Sequence, residues 1–591
     1  MSREPKRYSR KAVKDNPIIF AAFDTETRGL GGELLAISAH VAGETYYFCG
    51  PSMIDDFLNL LFQHPSPYVW YAHNAQYDWR YIIPPLIEKH YDVELSLRTE
   101  TDIYQVTIKI GNQKFIMRDS YALIPSKLDS DDPTEFTIAS SFTPEFRKLK
   151  IDVANFDPTN PEHIEYSKRD SQILATALPR IDTLLRKHFG VGVGHTTAGT
   201  AINAWCNSLG ESEYYKPTTW DEREQFIRQG YYGGLVFLTR TDKLESFDDL
   251  PIAETYDINS SYPSVMVDFG VPHGRMVESK DYLSGLMGIY RVRVKAPDDL
   301  VIPILPCRNQ KGHMQWRRGV FDTVATNVEL IFAANHGYQI LEVYEGLVFE
   351  ETAFPFNGFI ERCKSIRKNY KKKPEESLAK LMQNSAYGKF GSKRERLKIF
   401  HPETDEEKLG AQPLEQLDYF WVKTELDEEM RCKPEWAVFI TAHARLKILQ
   451  AAYSVGIENV VYGDTDSITV LQGHSDSINI GTDYGQFKLE KSWRSFRAIA
   501  PKVYAGILMN GQACGAVKGI PQKAMREHGE KWIELLERGE TQASTESLAS
   551  LRVALGKGLE PARTLTRKST DIKNSSNWTC QNDKVQPKMV A

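Results

Sequence analysis

The chain has 591 residues, 41% of them hydrophobic and 26% charged, which is typical of globular proteins and too long for one core. No apolar run approaches the roughly 18 residues of a membrane helix, and the basic start lacks the apolar segment of a secretory signal. These features exclude a membrane-spanning or secreted chain and favour the cytoplasm. The net charge of −5 excludes a protein that coats nucleic acid with its whole surface, so any polyanion must be held locally.

The first 195 residues alternate strand-like apolar runs with helical stretches, which predicts an α/β domain. The predicted strands are "PIIFAAFDTET", "LLAISAHV", "TYYFCG", "YQVTIKIG" and "KFIMRDSYAL". The glycine-rich stretch "HFGVGVGHTTAGT" predicts a boundary after this domain.

Three pairs of polar residues mark this first segment at spacings that put each pair on one face of a strand, turn or helix. In chain order they are Asp24 and Glu26, Asn74 and Asp78, and Tyr166 and Asp170. Each pair alone has an ordinary explanation, such as exposed acids at a strand end or a tyrosine in the core. The joint pattern of oxygen ligands, without histidine or cysteine, suits two Mg²⁺ or Mn²⁺ ions that hydrolyse a phosphodiester.

A second set of carboxylates lies further along the chain, in apolar strand-like runs. "AETYDI" ends near Asp257, and the hairpin-like "VVYGDTDSITV" carries Asp464 and Asp466 at its turn. Burying three carboxylates without partners costs several kcal/mol each, so a cation bound between the two segments is the economical explanation. Two divalent ions here could hold a nucleoside triphosphate for in-line attack.

A helix is predicted between these acids, in "KPEESLAKLMQNSAYGKF". Its Lys380, Asn384, Tyr387 and Gly388 share one face, which is either ordinary packing or a surface for phosphates and a base. The preceding basic stretch at 362–373 and the N-terminal arm are either solvated surface or polyanion contacts. Residues 521–560 are predicted as helices, and the polar stretch beyond 565 as a frayed tail.

The quoted motifs resemble those of family B DNA polymerases with a proofreading domain. The resemblance implies an α/β and α+β multidomain fold, with an RNase H-like exonuclease domain and a palm, fingers and thumb polymerase domain. "DTET", "NAQYD" and "YSKRD" match the exonuclease motifs. They imply metal ligands at Asp24, Glu26, Asp78 and Asp170, a water-orienting Tyr166, and primer contacts at Thr27 and Asn74.

"DINSSYP", "KLMQNSAYG" and "YGDTDS" match the three polymerase motifs. They imply catalytic acids at Asp257, Asp464 and Asp466, with metal at Asp257, Ile258 and Asp466. They also imply nucleotide contacts at Ser260, Tyr262, Lys380, Asn384 and Tyr387, with Tyr262 excluding a ribose 2′-hydroxyl.

Shorter matches and the chain length are similar to the protein-primed subgroup of small linear phage and plasmid genomes. They imply DNA contacts at Tyr231, Gly233, Gly234, Thr441, Arg445, Lys502 and Tyr504, and an exonuclease lysine at Lys150 in "LKIDV". The implied domains are an exonuclease at 1–195, a connecting region at 196–244, a palm at 245–360, fingers at 361–395, a palm with an acidic insertion at 396–505, and a thumb with a tail at 506–591.

This resemblance implies a viral or plasmid replication enzyme whose partners are template-primer DNA, deoxynucleoside triphosphates and a terminal protein. The alternatives are a DNA-primed polymerase of the same family and an inactive nucleic-acid-binding derivative. The insertion at 401–430 has ten acidic residues against two lysines. It is either a solvated hairpin or a steric wall that parts the DNA strands, and the second interpretation requires the apolar side of "LDYFWV" to pack on the enzyme.

Overall fold

The structure is a computed structural model that describes residues 18–29, 31–99, 102–132, 135–209, 222–239, 250–393, 395–402, 404–414, 417–426 and 432–517, with four short strands after residue 541. The basic N-terminal arm and most of the predicted thumb and tail lie outside the described residues. No helix in the described part is both long and apolar enough to cross a bilayer.

The N-terminal part contains the predicted mixture of strands and helices. In chain order its elements are β1 (Ile19–Thr27), β2 (Leu34–Val41), β3 (Glu44–Cys49), α1 (Met53–Leu61), β4 (Tyr68–Ala72), α2 (Trp79–Glu88), β5 (Asp92–Thr99), β6 (Asp102–Ile110), β7 (Gln113–Asp119), α3 (Ile138–Phe142) and α4 (Pro161–Phe189).

The middle part begins with two helices and then forms two further sheets. Its elements are α5 (Thr197–Leu209), α6 (Glu222–Gln229), β8 (Val236–Leu238), β9 (Ala253–Ile258), α7 (Ser261–Asp268), β10 (Val271–Ser279), β11 (Met287–Ala296), β12 (Pro306–Arg308), β13 (Met314–Trp316), β14 (Gly319–Thr326), α8 (Asn327–Asn335), β15 (Gln339–Ala353), α9 (Asn357–Asn369) and α10 (Pro374–Phe390).

The remaining elements follow α10. They are β16 (Glu395–Phe400), β17 (Ala411–Leu414), β18 (Leu417–Leu426), α11 (Pro434–Val455), β19 (Val460–Asp464), β20 (Ser467–Leu471), β21 (Phe487–Ala500), β22 (Val503–Leu508), β23 (Ala513–Val517), β24 (Gln542–Leu548), β25 (Leu565–Asp571), β26 (Trp578–Gln581) and β27 (Lys584–Pro587).

Two predictions for the C-terminal part are wrong where the structure describes it. A helix was predicted across residues 545–555, but 542–548 form β24, which pairs antiparallel with β25. The stretch beyond 565 was predicted to be a frayed tail, yet it contains β25 and the paired strands β26 and β27. In each case a backbone partner distant in sequence supplies hydrogen bonds that local helix propensity and polar composition do not reveal.

The first sheet has the order β17-β18-β16-β5-β6-β7-β4-β1-β2-β3. It places β1 between β2 and β4, and β1, β4 and β7 run parallel. The helix α4 packs on β1 and β2. Its ends are fixed by Asn160, whose side chain accepts a hydrogen bond from the Glu162 N–H, and by Gly190, whose φ of 69° lies in the left-handed region that glycine tolerates.

The acidic insertion extends this first sheet. β16 pairs with β18 on one side and with β5 on the other, so a segment from after α10 becomes part of a sheet built mainly before residue 120. Phe420 and Ile399 are buried in the core of that sheet. Phe420 and Val422 of "LDYFWV" therefore pack on the enzyme, as the steric-wall interpretation requires.

A second sheet has the order β23-β22-β21-β9-β20-β19-β8, and a third has the order β10-β15-β11-β14. A single hydrophobic cluster joins the first sheet to the helices around the second. It includes Tyr71 from β4, Trp205 from α5, Phe390 from α10 and Trp436 from α11. The described N-terminal part and the rest of the chain thus share one core across the glycine-rich stretch near residue 195.

Candidate active sites

The first candidate site lies at the end of β1, where three separate elements bring carboxylates together. β1 supplies Asp24 and Glu26, the turn before α2 supplies Asp78, and α4 supplies Asp170. Asp78 Oδ1 accepts hydrogen bonds from the Thr25 N–H at 3.0 Å and the Thr25 hydroxyl at 2.7 Å. These bonds tie the turn before α2 to β1.

Burial raises the pKa values of all four carboxylates of this first cluster, and other acids of the cluster add to the shift for Asp24 and Glu26. Burial and the charges of Glu26, Asp170 and Asp78 raise the pKa of Asp24 well above its ordinary value. Burial and Asp170 raise the pKa of Glu26 to about 8, and burial raises that of Asp78 to about 7. Four carboxylates cannot all be ionised here without a compensating cation.

The cation that the structure places among them is Lys148. Its ammonium group donates a hydrogen bond to Asp170 and lies 4.9 Å from the centre of the Tyr166 ring. Burial alone would lower the pKa of Lys148, but Asp170, Tyr166 and Asp24 raise it above its ordinary value. The lysine at this cluster is therefore Lys148.

The assignment of Lys150 to this site is corrected by the structure. Lys150 lies on the surface with 78% of its side chain exposed, and its Nζ is 2.8 Å from Asp131. In a regular extended strand, side chains two residues apart point to the same side. This relation fails where the backbone leaves that conformation. Residues 147–152 belong to no strand or helix, so the two-residue step from Lys148 to Lys150 does not bring the side chain back to the same side.

The donor set of the first site fits a hard divalent cation. All four ligands predicted for it are carboxylates, and two buried oxygens, Glu26 Oε1 and Asp170 Oδ1, have no hydrogen-bond partner. Within the described ranges, no three acidic, histidine or cysteine side chains converge on one point as a metal cage. The residues that could hold ions there are Asp24, Glu26, Asp78 and Asp170.

The predicted primer contacts lie on the rim of this cluster. Thr27 is half-buried at the end of β1, and its hydroxyl bonds to the Tyr77 hydroxyl and donates to the Gly29 carbonyl. Asn74 is exposed and has a φ of 60°, in the left-handed region that asparagine tolerates better than most residues.

The second candidate site lies at the centre of the second sheet. Asp257 ends β9 directly opposite Ser467 of β20, and Asp464 ends β19. Asp466 lies in the turn between β19 and β20, and its carbonyl accepts a hydrogen bond from the Ile258 N–H at 2.8 Å. The predicted hairpin is confirmed, and its register brings the three acids to one edge of the sheet.

Lysines approach two of these three acids. Lys502 Nζ is 2.7 Å from Asp464 Oδ1, and Lys488 Nζ is 3.6 Å from Asp257 Oδ1. Burial, Asp257 and Asp464 raise the pKa of Asp466 to about 6. Burial also raises the pKa of Asp257, although Lys488 opposes the shift.

A cavity of about 420 Å³ opens beside the second cluster of acids. Asp464, Asp466 and Lys502 line it, and Tyr504 and Trp493 form part of its wall. The sequence-predicted pair Lys502 and Tyr504 therefore lies next to the acids.

The helices α7 and α10 meet through two tyrosines. The rings of Tyr262 and Tyr387 are stacked, with centroids 4.0 Å apart and an interplanar angle of 12°. Lys380, Asn384 and Gly388 form the exposed face of α10, and a Cβ built on Gly388 would contact nothing within 4 Å. The predicted face of α10 is thus open and close to the stacked tyrosines.

Ser260 is held by a network that the sequence did not predict. Its hydroxyl accepts hydrogen bonds from Arg367 Nη1 and Gln383 Nε2, both at 3.0 Å. Arg367 also donates to the Tyr484 hydroxyl, which in turn donates to Gln383 Oε1 at 2.6 Å. A guanidinium and a hydroxyl held in this way can bind phosphate oxygens.

Thr441 and Arg445 were predicted to contact DNA, and in the structure both side chains are buried. Arg445 is only 2% exposed, forms a salt bridge of 2.6 Å with Glu329, and donates to the carbonyls of Tyr232 and Gly233. The Thr441 hydroxyl is buried and donates to carbonyls within its own helix. Arg445 fixes the segment that contains the predicted Tyr231, Gly233 and Gly234.

This segment from Tyr231 to Gly234 passes against the acidic turn of the second site. A Cβ on Gly234 would lie 2.8 Å from the Thr465 side chain, and the Thr465 N–H donates to the Leu235 carbonyl at 2.8 Å. Glycine at 234 therefore permits the close approach that supports the turn between Asp464 and Asp466. The ring of Tyr231 lies against Gly391, at the end of α10.

Several site residues were missed by the sequence analysis. Lys148 stands three residues before Ile151, just as Lys150 stands three residues before Val153. The sequence pattern alone therefore does not distinguish the two lysines. Arg367 belongs to the basic stretch at 362–373, for which the sequence left two interpretations open, a solvated surface or a contact to a polyanion. Asp119 ends β7, and its Oδ1 accepts the N–H groups of Ala75 and Tyr121, but no sequence motif marks it.

The fold and both sites can now be compared with known proteins. A family model described as DNA polymerase type B, organellar and viral, matches residues 62–157 and 154–437. The chain belongs to this family of type B DNA polymerases.

The relatives include phage and fungal DNA polymerases. The DNA polymerase of Bacillus phage phi29 is 29% identical over 330 residues, 52% of each chain, and that of Streptococcus phage Cp-1 is 23% identical over 448 residues, 71% of this chain and 73% of the relative. A probable DNA polymerase of Neurospora intermedia is 28% identical over 322 residues, 49% of this chain. The matches span 32% of that fungal relative and about half of the phage Nf and M2 polymerases.

The solved structure of phi29 DNA polymerase complexed with primer-template DNA and incoming nucleotide substrates has a similar fold. Its TM-score is 0.71 at 20% sequence identity, covering 94% of this chain and 100% of that chain. This likeness concerns the fold alone, and it confirms the predicted multidomain α/β and α+β class.

Replacing Glu329 by alanine should strongly destabilise the protein. Arg445 would keep a buried charge without its partner, which costs about 3–5 kcal/mol in the free energy of unfolding. Urea denaturation followed by fluorescence measures this cost. The control is Glu345→Ala, which removes an exposed salt bridge to Arg291 and should cost less than about 1 kcal/mol. Equal losses in the two variants would contradict the buried-pair interpretation.

Proposed function

We propose that the protein is a DNA-directed DNA polymerase that also has a proofreading 3′-5′ exonuclease. The observation that carries the polymerase proposal is the edge of the second sheet, where the strand register brings Asp257, Asp464 and Asp466 together and a cavity lined by Asp464 and Asp466 opens beside them. Family membership and the likeness to a polymerase fold support the same activity.

The chain's own residues suit nucleotidyl transfer at this second site. Asp257, Asp464 and Asp466, with the Ile258 carbonyl, would hold Mg²⁺ or Mn²⁺, and two such ions when bound supply the positive charge that in-line phosphoryl transfer needs. Lys502 approaches Asp464 from the side where Tyr504 lines the cavity. We assign the primer strand to this pair.

The incoming nucleotide is assigned to the surface between α7 and α10. Ser260, held by Arg367 and Gln383, is placed to orient triphosphate oxygens, and Lys380 adds a positive charge on the exposed face of α10. Tyr262, fixed by its stacking on Tyr387, presents a flat wall that leaves little space for a ribose 2′-hydroxyl. Deoxynucleotide selection by this wall is therefore steric.

The exonuclease is assigned to the first site. Asp24, Glu26, Asp78 and Asp170 offer the oxygen donors of a hydrolytic site with two divalent ions. Tyr166 is placed to orient the attacking water, while Lys148 balances the charge of Asp170. Thr27 and Asn74 on the rim would contact the primer end. The domain limits predicted from the sequence stay part of this proposal.

The biological role that we propose is replication of a linear viral or plasmid genome in the host cytoplasm, primed by a terminal protein. The phage polymerases among the relatives support this role. Strand displacement is assigned to the insertion, because β16 and β18 extend the first sheet and their acidic connections repel phosphates within about 8 Å at physiological salt. A DNA-primed polymerase of the same family is the second candidate.

The two activities should separate by mutation. Asp466→Ala should abolish nucleotide incorporation and leave degradation of single-stranded DNA, and the double variant Asp24→Ala with Glu26→Ala should do the reverse. Losing a metal ligand removes several kcal/mol of transition-state stabilisation, which corresponds to orders of magnitude in rate. Primer extension and single-strand degradation measure the two rates. Loss of both activities in either variant would refute the assignment of two independent sites.

The two neighbouring lysines should differ in their effect on the exonuclease. Lys148→Ala removes the ammonium group beside Asp170 and should lower the degradation rate about 10- to 100-fold, as is typical for a residue that supports metal ligands. Lys150→Ala, the matched control two residues away, should have little effect. Degradation of a labelled oligonucleotide measures both, and a larger loss in the Lys150 variant would restore the original assignment.

Protein priming is tested by the choice of primer. Incubated with a linear template and a candidate terminal protein, the enzyme should attach the first labelled deoxynucleotide covalently to that protein, and gel electrophoresis should show the label at the protein's mass. The Asp466→Ala variant serves as the negative control. Extension of DNA primers without labelling of any terminal protein encoded beside the polymerase would favour the DNA-primed alternative.

A further inference from the structure

The turn that carries Lys148 is fixed by one buried carboxylate, Asp129. Its side chain is 6% exposed and accepts two hydrogen bonds from the Arg147 guanidinium, from Nε at 2.9 Å and from Nη2 at 2.6 Å. It also accepts the main-chain N–H of Lys148 at 2.7 Å. The Arg147 guanidinium donates in addition to the Ser130 carbonyl at 2.8 Å.

These bonds fix the position of the Lys148 backbone, from which its side chain extends. Lys148 has a long, flexible side chain whose ammonium group can sample many positions, so the position of its backbone decides which carboxylates it reaches. From the place that Asp129 sets, the ammonium group reaches Asp170 and the ring of Tyr166. A displaced backbone would leave Asp170 without this cation.

We propose that Asp129, acting with Arg147, is a positioning residue that holds the Lys148 ammonium group among the carboxylates of the first site and thereby sets their affinity for divalent ions. This inference rests on the proposed exonuclease function of that site. Asp129 forms no hydrogen bond with the carboxylates and acts on them through Lys148; its own charge adds a repulsion that helps to raise the pKa of Asp170.

Release of the Lys148 ammonium group should have opposite effects on metal binding and on hydrolysis. An ammonium group held among carboxylates neutralises part of their charge and repels an approaching divalent cation, so releasing it should make the cluster bind Mn²⁺ more tightly. The same release removes a fixed positive charge and the support of Asp170, so hydrolysis should become slower. A merely structural role for Asp129 would weaken Mn²⁺ binding and hydrolysis together.

The neighbouring acid Asp131 provides a matched control. It pairs with Lys150 at 2.8 Å, and both side chains are about four-fifths exposed. Removing Asp131 therefore deletes the same type of ion pair from the same segment without disturbing Lys148.

The experiment measures Mn²⁺ binding by electron paramagnetic resonance in the full chain carrying Asp257→Ala and Asp466→Ala, so that the first cluster dominates the signal. Adding Asp129→Ala should lower the Kd for Mn²⁺ about 10-fold, because the repulsion between the ammonium group and the ion is relieved. In the otherwise unchanged chain, the same substitution should lower the kcat for single-strand degradation about 10-fold with little change in KM. Asp131→Ala should change neither quantity.

Asp129→Asn keeps an acceptor for the Lys148 N–H but loses the charge that holds Arg147, so it should shift both quantities in the same directions by smaller factors. If the alanine variant does not fold, the asparagine variant decides the question. Unchanged or weaker Mn²⁺ binding in the folded variant would overturn the inference. Because the binding measurement does not depend on hydrolysis, a protein without exonuclease activity would refute the proposed function and still leave the role of Asp129 measurable.

Discussion

Carboxylates that are buried side by side need cations close to them, and both candidate sites of this protein are organised by that requirement. In the first site the resident cation is the Lys148 ammonium group, which shares its surroundings with four acids. In the second site Lys502 and Lys488 approach the acids from neighbouring strands. The backbone elements that carry these lysines are therefore as important to each site as the strands that carry the acids.

The two sites are built on different sheets but are not mechanically independent. One hydrophobic cluster runs from β4 through α5 to α10 and α11, and the insertion strands β16 to β18 add to the first sheet after the chain has left α10. The chain thus crosses between the two parts more than once. This arrangement connects α10 to the sheet that carries the first site through a shared hydrophobic cluster.

A buried ion pair supports the backbone next to the second site. Arg445 is enclosed with Glu329 and holds the Tyr232 and Gly233 carbonyls, while Gly234 lies against Thr465 in the acidic turn. Arg445, which was expected to touch DNA, therefore supports the backbone segment beside the acidic turn. The same holds in the first site, where Asp129 and Arg147 act through Lys148. A sequence motif does not show whether a residue touches the ligand or holds another residue in position.

The sequence by itself determined the local features of this protein. Strand and helix periodicity placed Asp24 and Glu26 on one strand face, Tyr166 and Asp170 on one helix face, and Asp464 and Asp466 at a hairpin turn, because these spacings depend only on local backbone geometry. Tertiary structure decided everything that depends on distant partners: that 395–426 joins the first sheet, that 542–548 is a strand and not a helix, that Lys148 and not Lys150 meets Asp170, and that Arg445 is buried. The reason is that strand pairing, burial and charge neutralisation arise between segments far apart in the chain, and local propensity contains no information about which segments will meet.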